Sequence, residues 1–228
     1  MRPMVFALLA LVMAAPAALV VAAPALAAPA DFSGVWQPVG DGLAHPDDGG
    51  AVPLTPAAAA IARANAAAAA RGDFAFDPAM HCLPYGTPRL MLVPSPVQLL
   101  VTANRVVFVH QLNHSARLVY LDRGHDPAVD PSFLGDSVGR WDGDTLVVDT
   151  TNFRAGLLDR SGVPVGEKLH VVERYRVSGR RITGRITVED PANFTRAWSF
   201  AVVLERRPGG IVEDICADKT KAQRAATR

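Results

Sequence analysis

The feature that most constrains this chain is the regular beat of its second half. After Pro84, runs of alternating or continuous apolar residues recur about every 8–12 residues, separated by turn residues. The runs fall at 97–102, 106–114, 117–122, 136–141, 144–151, 169–177, 181–189, 197–206 and 211–216. Asp142-Gly143 between two of them is the sharpest hairpin signal, because a type I′ turn needs positive φ at both central positions. Asn104-Arg105, Ser178-Gly179 and Pro208-Gly209-Gly210 mark further turns, and residues 31–37 read as an earlier strand. Short connections favour sequential neighbours, and a meander of about eight to ten strands can close on itself and so remove its edges. The expected fold is mainly β: an antiparallel up-and-down barrel, with a two-sheet β-sandwich as the alternative.

The first third is built differently. Arg2, the apolar stretch 4–21 and Ala25-Leu26-Ala27 have the layout of an export signal over residues 1–27, which predicts a periplasmic or secreted protein. Residues 28–218 are then expected as one domain, with 219–228 a frayed basic tail. Within the domain, Thr55 and Pro56 supply a cap and first turn for an Ala-rich helix over 55–71. Ile61 is the one large aliphatic residue in that stretch, so the helix is expected on the surface. The chain carries 23 Lys and Arg against 22 Asp and Glu, and losing Arg2 with the signal leaves 22 of each. A neutral chain lacks the cationic field that nucleic acids and anionic membrane surfaces require. No run after the signal is long and apolar enough to span a bilayer. Cys82 and Cys216 allow a single pairing, which an oxidising compartment would preserve.

Period-2 alternation sorts the faces. Ile182, Gly184, Ile186 and Val188 form an apolar face opposed by Thr183, Arg185, Thr187 and Glu189. Leu169, Val171, Tyr175 and Val177 share their face with an acid, Glu173. Trp198, Phe200, Val202 and Leu204 align, as do Phe108, His110, Leu112 and His114. In 146–151 both faces are mixed, with Leu146, Val148 and Thr150 set against Val147, Asp149 and Thr151. Inward polar candidates are therefore Glu173, His110, His114 and Asp149. A buried carboxylate needs a partner, and Arg117 or Arg140 is placed to supply one. His110 and His114 stand four apart, which on a strand is roughly 13 Å, too far to share an ion. No other ligand spacing is present, so no metal or cofactor is expected. Ser137 and Ser161 lack the surroundings of a nucleophile elbow.

Gly34-Val35-Trp36 resembles the G-x-W signature at the start of lipocalin-type barrels. The run GDSVGRWDGDTLVVDTTNF at 135–153, with His114-Ser115-Ala116-Arg117, LHVVERY at 169–175, Asp190-Pro191, Trp198 and Cys216, is similar to a large family of secreted, mostly uncharacterised bacterial proteins from proteobacteria and acidobacteria. The resemblance covers about residues 31–216 and implies an exported, calycin-like barrel. It brings no reaction with it. Where that pattern often carries an acid, this chain has Gln111.

Three functions follow from this picture. The first is a binding barrel for a small hydrophobic or aromatic molecule, lined by Phe108, His110, Tyr175, Trp198 and Phe200, with Asp149 and Arg140 as further contacts. The second is a cofactor-independent lyase, isomerase or hydrolase with His114 as acid or base, Glu173 as its partner and Arg117 stabilising an anion. The third is an envelope structural protein with a filled interior.

Overall fold

The computed structural model describes residues 31–216. The stretches expected as an export signal, 1–27, and a basic tail, 219–228, lie outside the described residues. Nine strands close into one barrel, and two more form a small hairpin. In chain order the strands are β1 (Gly34–Val39), β2 (Val97–Val101), β3 (Arg105–His110), β4 (Ala116–Tyr120), β5 (Asp136–Asp142), β6 (Thr145–Thr151), β7 (Gly156–Leu157), β8 (Pro164–Val165), β9 (His170–Ser178), β10 (Arg181–Glu189) and β11 (Trp198–Arg206). The ring runs β1-β11-β10-β9-β6-β5-β4-β3-β2 and returns to β1. β7 and β8 pair only with each other. The expected mainly β barrel with a single α-helix is therefore the fold of the protein.

Every neighbouring pair in the ring is antiparallel except β4 and β5, which run parallel and share only the pairs Val119–Ser137 and Tyr120–Val138. The link between them, 121–135, must travel back along the outside of the barrel. It is fastened at Asp136, whose carboxylate takes Arg123 Nη2 at 2.5 Å, His125 Nδ1 at 3.0 Å and the Asp126 N–H at 3.0 Å.

The two ends of the barrel are unlike. At one end β2–β3, β5–β6 and β9–β10 are joined by turns of two or three residues. At the other, strand directions bring together the long segments 40–96, 152–169 and 190–197. The helix α1 (Pro56–Ala70) belongs to this cap. Thr55 Oγ1 accepts the Ala58 N–H at 3.3 Å, and only Ala58 of the helix is buried, which agrees with a surface helix. Short 3₁₀ turns at Pro78–His81 and Arg89–Met91 complete the cap. Pro46 bridges to Phe200 and Leu54 to Phe194, tying the cap to β11 and to the segment before it.

Inside, alternation holds. Ile182, Ile186 and Val188 of β10, Val171 and Tyr175 of β9, and Phe200, Val202 and Leu204 of β11 are all buried. Gly184 sits opposite Tyr175, and a Cβ there would lie 2.6 Å from the tyrosine ring, so the glycine makes room for that ring. Two expected strand ends are corrected. The run 106–114 stops at His110, because the chain turns through Leu112–His114 with Asn113 at φ 51° and His114 at φ 46°. The run 211–216 forms no strand; it is a strap whose Val212 N–H donates to Gln111 Oε1 at 3.2 Å.

Cys82 and Cys216 form a disulfide with Cα atoms 5.6 Å apart, tying the strap to the turn after Pro78–His81. The bond spans a sequence separation of 134 residues. Loop-closure entropy for such a span gives up to about 5 kcal/mol of stability. We expect Cys216→Ser to lower the unfolding free energy in urea by about 3–5 kcal/mol. A loss below about 1 kcal/mol would show that the strap adds no constraint.

Candidate functional site

Four neighbouring strands build a polar cluster on the inner wall. β9 and β6 pair Glu173 with Val148 and Val171 with Thr150, so inward positions alternate acid, apolar, hydroxyl along the joint. Thr150 in turn faces Ser137 of β5. Arg117 comes from β4, where Phe108 of β3 lies opposite it. Its guanidinium meets Glu173 through both Nη atoms, at 3.0 Å from Nη1 to Oε1 and in close contact from Nη2 to Oε2. Nη2 also reaches Thr150 Oγ1 at 2.7 Å, and Nε donates to Ser137 Oγ at 2.9 Å. Tyr175 donates its phenol proton to Glu173 Oε1 at 2.6 Å. Glu173 is 0 % and Arg117 2 % exposed. Burial alone would lower the Arg117 pKa, yet the Glu173 charge and hydrogen bonds, with Tyr175, together outweigh it and hold the guanidinium above its ordinary value. Burial and the same charge push the Tyr175 phenol well up.

This arrangement is a paired, fully hydrogen-bonded charge in the core. Of the two arginines considered, Arg117 supplies the partner, while Arg140 stands exposed on the outer face of β5. Phe108, Tyr175, Trp198 and Phe200 all lie buried on the inner side, as expected. Phe108 packs against Tyr175 with ring centroids 6.0 Å apart, and Trp198 against Phe200 at 5.6 Å.

His110 and Trp198 differ from the rest of this wall. His110 is 3 % exposed and stacks beside Phe108 with centroids 6.5 Å apart. Burial, with the Arg117 cation nearby, pushes its pKa down to about 3, so the ring is neutral near pH 7. No described residue hydrogen-bonds the ring. The buried Trp198 Nε1 likewise has no partner among the described residues. His110 closes β3 and Trp198 opens β11, so both stand at the capped end of the barrel.

Two other residues move out of the site. His114 is exposed, and its Nε2 accepts the Asp214 N–H at 3.1 Å, so it holds the strap instead of facing Glu173. Asp149 lies on the outer face of β6. Its Oδ1 meets His125 Nε2 at 3.0 Å and His170 Nε2 at 3.1 Å. The sequence hid this surface cluster, because His125 sits in the 121–135 link and only the fold returns that link to β6 and β9. Ser137 and Thr150 were also missed as partners of Arg117. Alternation does place Thr150 inward, but nothing local joins it to Ser137. Among the described residues no group of three or more His, Cys, Asp or Glu converges to hold a metal ion.

Three of the depressions on the described residues bear on this architecture. One, of about 200 Å³, opens at the β4–β5 joint and is lined in part by Arg117, Tyr120, Arg123, Asp136 and Ser137. Another, of about 250 Å³, reaches Trp198 between Asp47, Asp48, Arg185 and Arg196. A third, of about 480 Å³, lies in the cap between residues 40–42, 85–94 and Arg160. No helix among the described residues is long and apolar enough to cross a membrane. In comparisons with known proteins, no family model, no curated protein and no solved structure matches the chain.

The charge cluster sets one expectation. Removing one partner strands the other, so Glu173→Gln should cost about 3–5 kcal/mol of unfolding free energy. The pair Arg117→Leu with Glu173→Leu should recover most of it, and a double variant no better than the single one would refute this account. His110 sets another. In the unfolded chain its ring takes a proton below pH 6.5, while in the fold it stays neutral down to about 3. The unfolded state therefore binds more protons in that window, and stability falls as pH falls, by up to about 1.4 kcal/mol per pH unit. Burial also acts on Asp77 and Asp136, but their arginine partners hold both below the usual carboxylate value of 3.8, so their contribution is lost only in stronger acid. Urea unfolding of His110→Phe between pH 6.5 and 4 should show a shallower slope than the parent. An unchanged slope would contradict it.

Proposed function

We propose that this chain is an exported barrel that binds a small apolar or aromatic molecule at its capped end. The observation that carries this reading is the buried Trp198 Nε1, which no described residue meets on an otherwise satisfied inner wall, at the same end as the neutral His110 ring. A buried polar group without a partner costs about 1–3 kcal/mol. Arg117, Glu173, Tyr175, Ser137 and Thr150 show that this interior meets its polar groups when no occupant is needed. A ligand with an aromatic or aliphatic body would have to part the closed packing of Phe108 and Phe200, and one donor and one acceptor on it would complete His110 and Trp198. The barrel architecture is compatible with such a role. The layout of residues 1–27 and the resemblance to secreted bacterial proteins support export.

The acid–base alternative loses its base, since His114 is committed to the strap and Glu173 to Arg117. The test is mass spectrometry of small molecules that leave with the purified mature protein. The recovered compound is then titrated into His110→Phe and Trp198→Phe, which keep a ring and remove the polar atom. We expect each change to weaken binding by about tenfold while the unfolding free energy stays equal or rises. Absence of any copurifying compound, or affinities unchanged in both variants, would overturn the reading.

A further inference from the structure

The 480 Å³ depression in the cap is separate from the inner wall, and its lining shares no residue with the wall. Its volume falls in the range of small-molecule sites, about 300–1,000 Å³. Tyr85, Val93 and Pro94 give it an apolar side. Arg89 and Arg160 give it a cationic one. The two arginines are held in different ways. Arg89 is buried, lies 4.6 Å over the Tyr85 ring, and binds Asp77 through both Nη atoms at 2.7 and 2.6 Å. No described residue accepts a hydrogen bond from its buried Nε. Arg160 donates Nε to the Asp41 carbonyl at 2.6 Å, and no described residue takes a hydrogen bond from its Nη atoms.

The wall that carries Arg160 is fixed. Asp159 beside it is buried, accepts the Ala44 N–H at 2.8 Å and binds Ser161 N at 2.8 Å, which staples the turn between β7 and β8 to the segment after β1. Gly42, at φ 78°, lets the Arg160 stem lie close, for a Cβ there would stand 3.2 Å from its Cδ. The one carboxylate in the lining, Asp41, is already engaged: Oδ1 accepts the Leu43 N–H at 3.1 Å and Oδ2 meets His45 Nε2 at 2.8 Å. The side-chain hydrogen-bonding capacity left over in this depression is thus chiefly that of the Arg160 Nη donors and the Tyr85 hydroxyl, beside an aromatic and aliphatic face.

We propose that the cap depression is a second binding site, selective for small organic anions that join an aromatic body to a carboxylate. The body rests on Tyr85, Val93 and Pro94. The carboxylate takes the Arg160 Nη hydrogens, with the Arg89 cation beside it. This site stands whether or not the inner wall binds a ligand.

The probe pair is 1-naphthoate and its neutral isostere 1-naphthamide, titrated by fluorescence into the full mature protein with its disulfide intact. We expect 1-naphthoate to bind as one equivalent and about tenfold or more tighter than the amide, the value of a charge-assisted hydrogen bond. Arg160→Gln should remove that advantage and leave the amide unchanged. Val93→Trp, which fills the depression, should abolish both. His110→Phe and Trp198→Phe should leave both unchanged. Equal binding of acid and amide, or no effect of Arg160→Gln in a variant whose near-UV circular dichroism is native, would overturn the proposal. Loss of 1-naphthoate in the His110 or Trp198 variants would assign the probe to the inner wall and overturn it equally.

Discussion

The inner wall is organised around a single ion pair. Arg117 and Glu173 come from β4 and β9, which are not neighbours in the ring, so their contact reaches over β5 and β6. A charge pair this deep is a poor source of stability in itself, because desolvation offsets the Coulomb term. Its strength lies in what it dictates. The five donors of the guanidinium form a fixed fork, so Ser137, Thr150 and Glu173 must stand in one relation for the fork to be satisfied. A slip of any of these strands by one residue would turn its polar group outward. The pair therefore sets the register of four strands at once, in a region where β4 and β5 share too few rungs to set it by backbone bonding.

That division of labour explains the functional geometry. The middle of the barrel is solved by its own residues and leaves no group idle. The capped end is where buried groups that no described residue meets collect: Trp198 Nε1, Arg89 Nε and Asn113 Nδ2. Long connections gather at that end and hairpin turns at the other, so sites can vary there by loop changes without disturbing the ring.

Much of the barrel was legible because its strands alternate cleanly. Alternation alone gives β10 its ends and faces and marks Glu173 as an acid on an apolar face. Arg117 followed as one of two possible partners. The failures have local causes. The continuity of 106–114 points His114 inward; the left-handed backbone at Asn113 and His114, which ends the strand, leaves no mark in hydrophobicity. Asp149 was ambiguous because β6 is apolar on both faces: Val147 is buried on the outer side while Asp149 meets two histidines there. The strap at 211–216 has the composition of a strand. It joins no sheet because β1 already has β2 on one side and β11 on the other.

The strap's exclusion has a consequence for how the circle is drawn. Strands that alternate in direction can complete a loop only in even number. Ten would have alternated all the way round; nine cannot, and somewhere two that point the same way must lie side by side. The like-pointing neighbours are β4 and β5, and the outer return of 121–135 is the chain's means of reaching that odd count. Parity thus requires one such joint, and the length of that return fixes where it falls.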